Sequence, residues 1–328
     1  MSTEDGSVAP GRVGLDQPVG RGPIVVAGAH IQGLVMRVDQ VPLEGESVLG
    51  HGFAEPVDGG KATNQAVCAA RLGAEVRFIT VLGSDERGRR WRAFLEAEGI
   101  EMGWSFTSER PTDVGFVIIG PRGIPSIATA LDANLELDSQ HVEEAAAGFA
   151  GTSMVVCQLE ASLECAMASF RMARNHHALT VLNPSPAAAL PPDLVELTDI
   201  LVPNEHEAAY LTGEEGAPDL LARRLRQDWP GSCIIVTAGE AGAYVCDRRG
   251  REYHSPAPVV PVVDTTGAGD AFLGALAVRL RSGDPLTTAV DAAVLAASRS
   301  VTQDGSIPSY GRSDEVAAWA ADLAQRAG

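Results

Sequence analysis

The sequence predicts an α/β protein: one doubly wound domain with a mostly parallel sheet, carrying a small β-sheet lid. Short β-branched runs alternate with longer segments of helical spacing along most of the 328 residues. Apolar residues make up 45% of the chain and aromatics only 5%, so alanine and valine fill the core, as suits helices packed on a parallel sheet. Two stretches, about 34–57 and 111–130, break that rhythm with alternating strands joined by Gly/Pro turns.

The elements follow in order. Residues 1–22 are rich in glycine, proline and acids without an apolar signal core, and are expected to be a disordered tail ahead of a domain over 23–328. PIVVAGAH is a first buried strand, and GGKATNQAVCAARLGA a helix stopped by Gly73. EVRFITVLG is a second strand, and DERGRRWRAFLEAEG a second helix ending before Gly99. The two irregular stretches are read as short antiparallel strands over one end of the sheet, GPRG forming a hairpin tip. GTSMVVCQLE, HALTVLNP, DILVPNE, CIIVTAG and GAYVCD are strands, with helices at SLECAMASFRMARNH and LLARRLRQDW. VVPVVD reads as a further strand, before three closing helices at DAFLGALAVRLRSG, LTTAVDAAVLAASRSVTQ and SDEVAAWAADLAQRAG.

Composition excludes several function classes. With 25 basic against 43 acidic residues the formal charge is −18, and no run of Lys or Arg exceeds two, so no basic face awaits nucleic acid. An anionic ligand must be met locally, by backbone amides, a lysine or a metal. Five scattered cysteines with no C-x-x-C pair read as buried thiols of a cytoplasmic protein. The seven histidines lack H-E-x-x-H spacing, which argues against zinc. No segment reaches the roughly 18 apolar residues needed to cross a membrane.

The stretch VVDTTGAGDAF, 262–272, carries the chemistry. Its glycines fall between a strand-like run and a helix, where unpaired amides and the helix dipole make an anion site that no Cβ obstructs. Asp270 at that helix start can cap the helix or act as a general base toward whatever attacks the anion; Asp264 and Thr266 can form the turn or ligate a hard cation. Rival phosphate motifs fail: EPVDGGKAT has Glu55 and Ala62 where a P-loop needs Gly and Ser or Thr, and GAHIQG lacks the middle glycine of a dinucleotide turn.

DTTGAGDAF together with GGKATNQAVCAARLG resembles the two signatures of the ribokinase family of carbohydrate kinases, also called the phosphofructokinase-B family. CQLE, LNPSP, PNEHE and TAGEAGA follow in the family's order, so the resemblance runs from about Ile24 to Ser309. It implies a ribokinase-like fold and ATP-dependent phosphorylation of a hydroxymethyl group, ribose being the first sugar to expect. Asp270 then matches the general base, and the amides of Gly267, Ala268 and Gly269 the anion hole. As a carboxylate at a helix start, Asp270 is expected to stay ionised at neutral pH.

The resemblance further maps sugar binding to Gly60, Lys61, Asn64 and Glu160, and ATP binding to Asn204, Thr237, Gly239, Gly242 and Gly269. Glu207 matches an acid that helps hold Mg²⁺. Asp264 and Thr266, with Ser300, Gln303, Gly305 and Ser309, match a monovalent cation site, implying K⁺. Relatives often pair through their lids, so a homodimer is the expected assembly. One departure stands out. Where the family carries an N-x-D pair that grips sugar hydroxyls, this chain has Ile31, Gln32 and Gly33, with Gln32 or His30 as the nearest polar substitutes. A less polar sugar, a nucleoside-like ligand or a sugar acid fits such a site. A non-catalytic sugar-binding relative is the reading from another class, against which the intact Asp270 turn stands.

Overall fold

Strand β1 (Ile24–Ala27) sends Ile24 and Val26 to one face and Val25 and Ala27 to the other, and all four are buried. A strand buried on both faces needs a helical layer on each, and this one has them. The computed structural model describes residues 20–327. In the first half, β2 (Gln32–Val38), β3 (Gly50–Ala54), α1 (Gly60–Arg71), β4 (Val76–Ile79), β5 (Val81–Gly83), α2 (Glu86–Ala97), β6 (Phe106–Ser108), β7 (Val114–Ile119), β8 (Pro125–Ala130) and α3 (Ser139–Glu144) follow β1. Next come β9 (Met154–Cys157), α4 (Leu163–Asn175), β10 (Leu179–Leu182), α5 (Pro192–Leu197), β11 (Ile200–Leu201), α6 (Glu205–Thr212) and α7 (Pro218–Asp228). The chain closes with β12 (Cys233–Thr237), β13 (Ala243–Cys246), β14 (Glu252–Ser255), α8 (Ala268–Arg281), α9 (Leu286–Ser300) and α10 (Ser313–Ala327).

The main sheet has eight strands in the order β14-β13-β12-β11-β10-β9-β1-β4. It is parallel from β4 to β12 and antiparallel at β13 and β14. Helices α1, α2, α8 and α9 cover one face, packing on Ile24, Val26, Phe78 and Val156. On the other face α4, α6 and α7 pack against Val25, Ala27, Val155 and Ile234. All five cysteines are buried and unpaired.

The two irregular stretches form a second sheet, ordered β3-β2-β7-β8. Its outer pairs are antiparallel as expected, but β2 and β7 at its centre run parallel. No hairpin joins those two, so nothing ties them to opposite directions. EVRFITVLG also differs from expectation: β4 ends at Ile79, and β5 pairs with β6 in a separate two-stranded sheet. Asn134 diverts the chain there, its Oδ1 accepting from Thr80 Oγ1 and Val81 N. VVPVVD forms no strand. Pro256, Pro258 and Pro261 remove three backbone donors, Val259, Val262 and Val263 stand 99%, 64% and 62% exposed, and the segment is held by Val263 N donating to the Val301 carbonyl. Strand β14, just before it, had no counterpart among the expected elements.

Most of the expected tail, residues 1–19, lies outside the described residues. Gly22 at its end is fixed: its carbonyl accepts from Ser153 Oγ and Arg281 Nε, and a Cβ there would collide with the Gly151 carbonyl. Among the described residues no helix is long and apolar enough to cross a membrane.

Candidate active site

Helix α8 begins without a side-chain cap. Gly267 stands at its N-cap with φ +75°, and a Cβ on it would fall 2.3 Å from the Tyr310 hydroxyl, so this turn admits glycine alone. The amides of Gly267 and Gly269 donate to no group among the described residues, whereas Ala268 N reaches the Thr265 carbonyl at 3.3 Å. Two free donors at a helix N-terminus form an anion site. The third expected donor is partly engaged.

Asp270, in the first turn of α8, is 9% exposed. Its Oδ1 accepts from Gln65 Nε2 at 2.9 Å and its Oδ2 from Asn64 Nδ2 at 3.2 Å, both side chains coming from α1 packed alongside. The expectation that it stays ionised at neutral pH needs correction. Burial raises its pKa to about 7, against the opposing pull of Lys61, Gln65 and Asn64, because desolvation penalises the charged carboxylate. A base with that pKa is better matched to proton transfer near neutrality than an ordinary aspartate. Gln65 was not singled out from sequence, although it adjoins Asn64 in the same motif; it also contacts Asn183 and accepts from Gln158 Nε2.

On the far side of Asp270, Lys61 Nζ lies 3.3 Å from Glu160 Oε1, and Lys61 N donates to Glu160 Oε2 at 2.8 Å. Burial alone would lower the lysine's pKa, but Glu160 and Asp270 outweigh it and hold the ammonium above its ordinary value. Burial pushes the Glu160 carboxyl up despite Lys61. Gly60, with φ +76°, brings the backbone against both Glu160 and Ile31. Both hydrogens of the Asn64 amide go to carboxylates, Asp58 Oδ1 at 2.8 Å and Asp270 Oδ2, so Asn64 links two acids in this structure.

Both polar candidates near Ile31 are buried, Gln32 being fully engaged and His30 left with only its Nε2 without a partner. Gln32 donates to the carbonyls of Gly33 and Pro56 and accepts from Trp91 Nε1. His30 is wholly buried against Trp91, its Nδ1 paired with Thr63 Oγ1, and burial lowers its pKa to about 3. Asp58 is the acid that sequence reading passed over. The only signal was its place immediately before the two glycines of the motif.

Asp270 and Lys61 also line a cleft with Gly267, Ala268, Gly269, Asn204, Glu207 and Thr237. Expected phosphate and nucleotide residues thus meet in one space. Asn204 and Glu207 form a capping box on α6, in which Glu207 Oε2 accepts from Asn204 N and Asn204 Oδ1 from Glu207 N. Gly239 and Gly242 do not line the cleft; a Cβ on Gly242 would strike the Ser255 carbonyl, so packing against β14 accounts for that glycine. Among the described residues no cluster of three or more His, Cys, Asp or Glu side chains is placed to hold a metal. Glu207 Oε1 accepts from no group among the described residues.

Asp264 joins the halves of the expected monovalent site. Its Oδ1 accepts from Thr266 N and Oγ1, and its Oδ2 from Gly305 N at 2.9 Å. Burial would raise this carboxyl, but those hydrogen bonds outweigh it and hold it below the usual range. Ser300 Oγ and Ser309 Oγ donate to the carbonyls of Ala297 and Ser306, while Gln303 is exposed.

With that geometry in view, the chain's similarities are informative. A model of the pfkB family carbohydrate kinases matches residues 24–311. The chain is 34% identical to a deoxyribokinase of Salmonella typhi over 88% of its own length and 95% of that protein. It is 33% identical to a bifunctional ribokinase/ribose-5-phosphate isomerase A of Fructilactobacillus sanfranciscensis over 78% of its length, and spans about half of that relative, 48%. The structure of Arabidopsis thaliana ribokinase complexed with ribose and ATP superposes with a TM-score of 0.80 at 25% identity, covering 90% of this chain and 98% of that one.

Proposed function

Because the chain belongs to the pfkB family of carbohydrate kinases and is an ATP-dependent sugar kinase, we propose that Asp270 is its general base and that the α8 turn holds the migrating phosphoryl group. One observation carries this reading: the buried Asp270 carboxyl, with a pKa near 7, stands beside both free amides and beside the Lys61–Glu160 pair. A sugar hydroxymethyl held by Glu160 and Lys61 gives its proton to Asp270 as its oxygen bonds to the γ-phosphorus. The bond from that phosphorus to the ADP oxygen breaks, and the amides of Gly267 and Gly269 stabilise charge on the equatorial oxygens.

Asn204 and Thr237 border the nucleotide. Glu207 would help hold Mg²⁺, which would supply neutralisation of the triphosphate charge in this acidic protein. The Asp264–Thr266 turn and the Gly305 loop would hold K⁺, which would supply positive charge beside the anion hole. Pairing through the second sheet is supported by the exposure of Phe53, Phe116 and Ile127 there, and a cytoplasmic location by five unpaired thiols.

Ribose is the first substrate to expect. The buried side chain of Ile31 beside Gly60 favours a second, a sugar lacking one hydroxyl, and the similarity to a deoxyribokinase agrees with it. Phosphorylation assays with MgATP on ribose, 2-deoxyribose, fructose, ketodeoxygluconate and adenosine test this. Turnover of a pentose supports the reading; ATP hydrolysis indifferent to every sugar, or preference for adenosine, refutes it.

A further inference from the structure

Asp58 lies in the loop between β3 and α1. Its Oδ1 accepts from Asn64 Nδ2 at 2.8 Å and from Gly60 N at 3.4 Å, while its Oδ2 accepts from no group among the described residues. That free oxygen lies over β2, where a Cβ built on Gly33 would fall 3.4 Å from Oδ2 and 3.6 Å from the Asp58 Cβ. Gly33 N also donates to the Asp58 carbonyl at 3.1 Å, pinning the loop to the strand. The carboxylate thus lies in van der Waals contact with the place where a side chain at position 33 would begin. It is one amide away from Asp270, since a single nitrogen of Asn64 serves both acids. Glu160 stands across Gly60 from it, its Oε2 3.2 Å from where a Gly60 Cβ would be.

Resting on the kinase reading of this cleft, we propose that Asp58 is the residue that grips the sugar's hydroxyls, supplying from the α1 loop the acid that β2 lacks at Gly33, and that the substrate is therefore a neutral sugar. Asp58 Oδ2 is a carboxylate oxygen with an open acceptor site, and its sister oxygen Oδ1 accepts from Gly60 N, the residue whose Cβ position abuts Ile31 and Glu160. Hydroxyl protons are what such an oxygen binds. The charge balance defines the class. Asp58, Glu160 and Asp270 are acids, and the ammonium of Lys61 is already paired with Glu160, so a sugar acid or sugar phosphate would set a further anion beside three carboxyls and compete with Glu160 for that ammonium.

The test begins with Asp58→Asn, which keeps an oxygen for Asn64 and Gly60 but removes the charge. Its kcat/KM for the sugar falls about ten- to a hundredfold, the scale of a hydrogen bond to a charged group. The KM for ATP and the melting temperature stay where they were. A swap then separates substrate binding from structure. Gly33→Asp added to Asp58→Ala returns part of the lost sugar affinity, whereas Gly33→Asp alone lowers it by setting two carboxylates side by side. An unchanged sugar KM in Asp58→Asn, a swap no better than Asp58→Ala, or preference for ketodeoxygluconate over every neutral sugar overturns the inference. A wild-type chain inactive on all sugars overturns the kinase assignment of the cleft and this inference with it; an active wild type beside an unaffected Asp58→Asn overturns only the latter.

Discussion

The Tyr310 hydroxyl donates to the Gly267 carbonyl at 3.0 Å, and that contact locks the left-handed turn on which the anion site depends. Burial and the neighbouring Asp270 hold the phenol well above its ordinary pKa, so it remains a donor across the working range. Tyr310→Phe is expected to lower kcat several-fold with little change in either KM. Gly267→Ala should be far worse, because its Cβ meets the same hydroxyl at 2.3 Å in a conformation that L-residues avoid. Loss of turnover by about 10² is expected from a disordered anion hole, and steady-state kinetics beside thermal melts would show it.

Asp270 should set the pH dependence of the reaction. With its pKa near 7, kcat/KM rises with pH, reaches a plateau above that value and is lost as the carboxyl protonates below it. ATP itself titrates nearby, so the variant Gln65→Leu is the discriminating measurement. Gln65 Nε2 favours the ionised form of Asp270, and its removal should move the profile toward higher pH, a shift that nucleotide titration cannot produce. An unmoved profile would remove Asp270 from the base role.

Asp270→Asn is expected to cut turnover by about 10² or more, the scale of general-base catalysis. Stability should change in the opposite sense. The folded pKa of Asp270 lies above its unfolded value, so the stability associated with this group is complete below the ordinary aspartate range. It is lost as pH rises through about 7. The asparagine variant does not incur that loss. Its melting temperature relative to wild type should therefore climb between acidic and mildly alkaline buffer, and a difference that stays constant or falls with pH would contradict the burial argument.

Glu207→Gln separates a metal role from a capping role. Glutamine preserves the capping box with Asn204, so the melting temperature should hold, while the Mg²⁺ concentration for half-maximal rate increases. If Mg²⁺ titration curves coincide, Glu207 serves α6 alone.

Potassium should activate the enzyme through the Asp264 turn. Equal rates in K⁺ and in tetramethylammonium would dismiss that site, and Asp264→Asn should abolish whatever K⁺ dependence the wild type shows.

Local pattern determined much of this protein. The β-branched run at Ile24–Ala27 and the helical spacing of 60–71 mark their elements because burial on two faces, or on one stripe, leaves a period that neighbouring residues cannot hide. Gly267 and Asp270 were legible for a similar reason: a strained turn and an acid at a helix start are local chemistry. Tertiary structure decided the rest. Asp270's raised pKa arises from burial beneath α1, which no count of nearby residues reveals. The engagement of Asn64 by two carboxylates, the withdrawal of Gln32 and His30 behind Trp91, and the arrival of Asp58 over Gly33 all join segments distant along the chain. A polar side chain has only a few donors and acceptors, and only the folded arrangement determines which partners take them and which are left for a substrate.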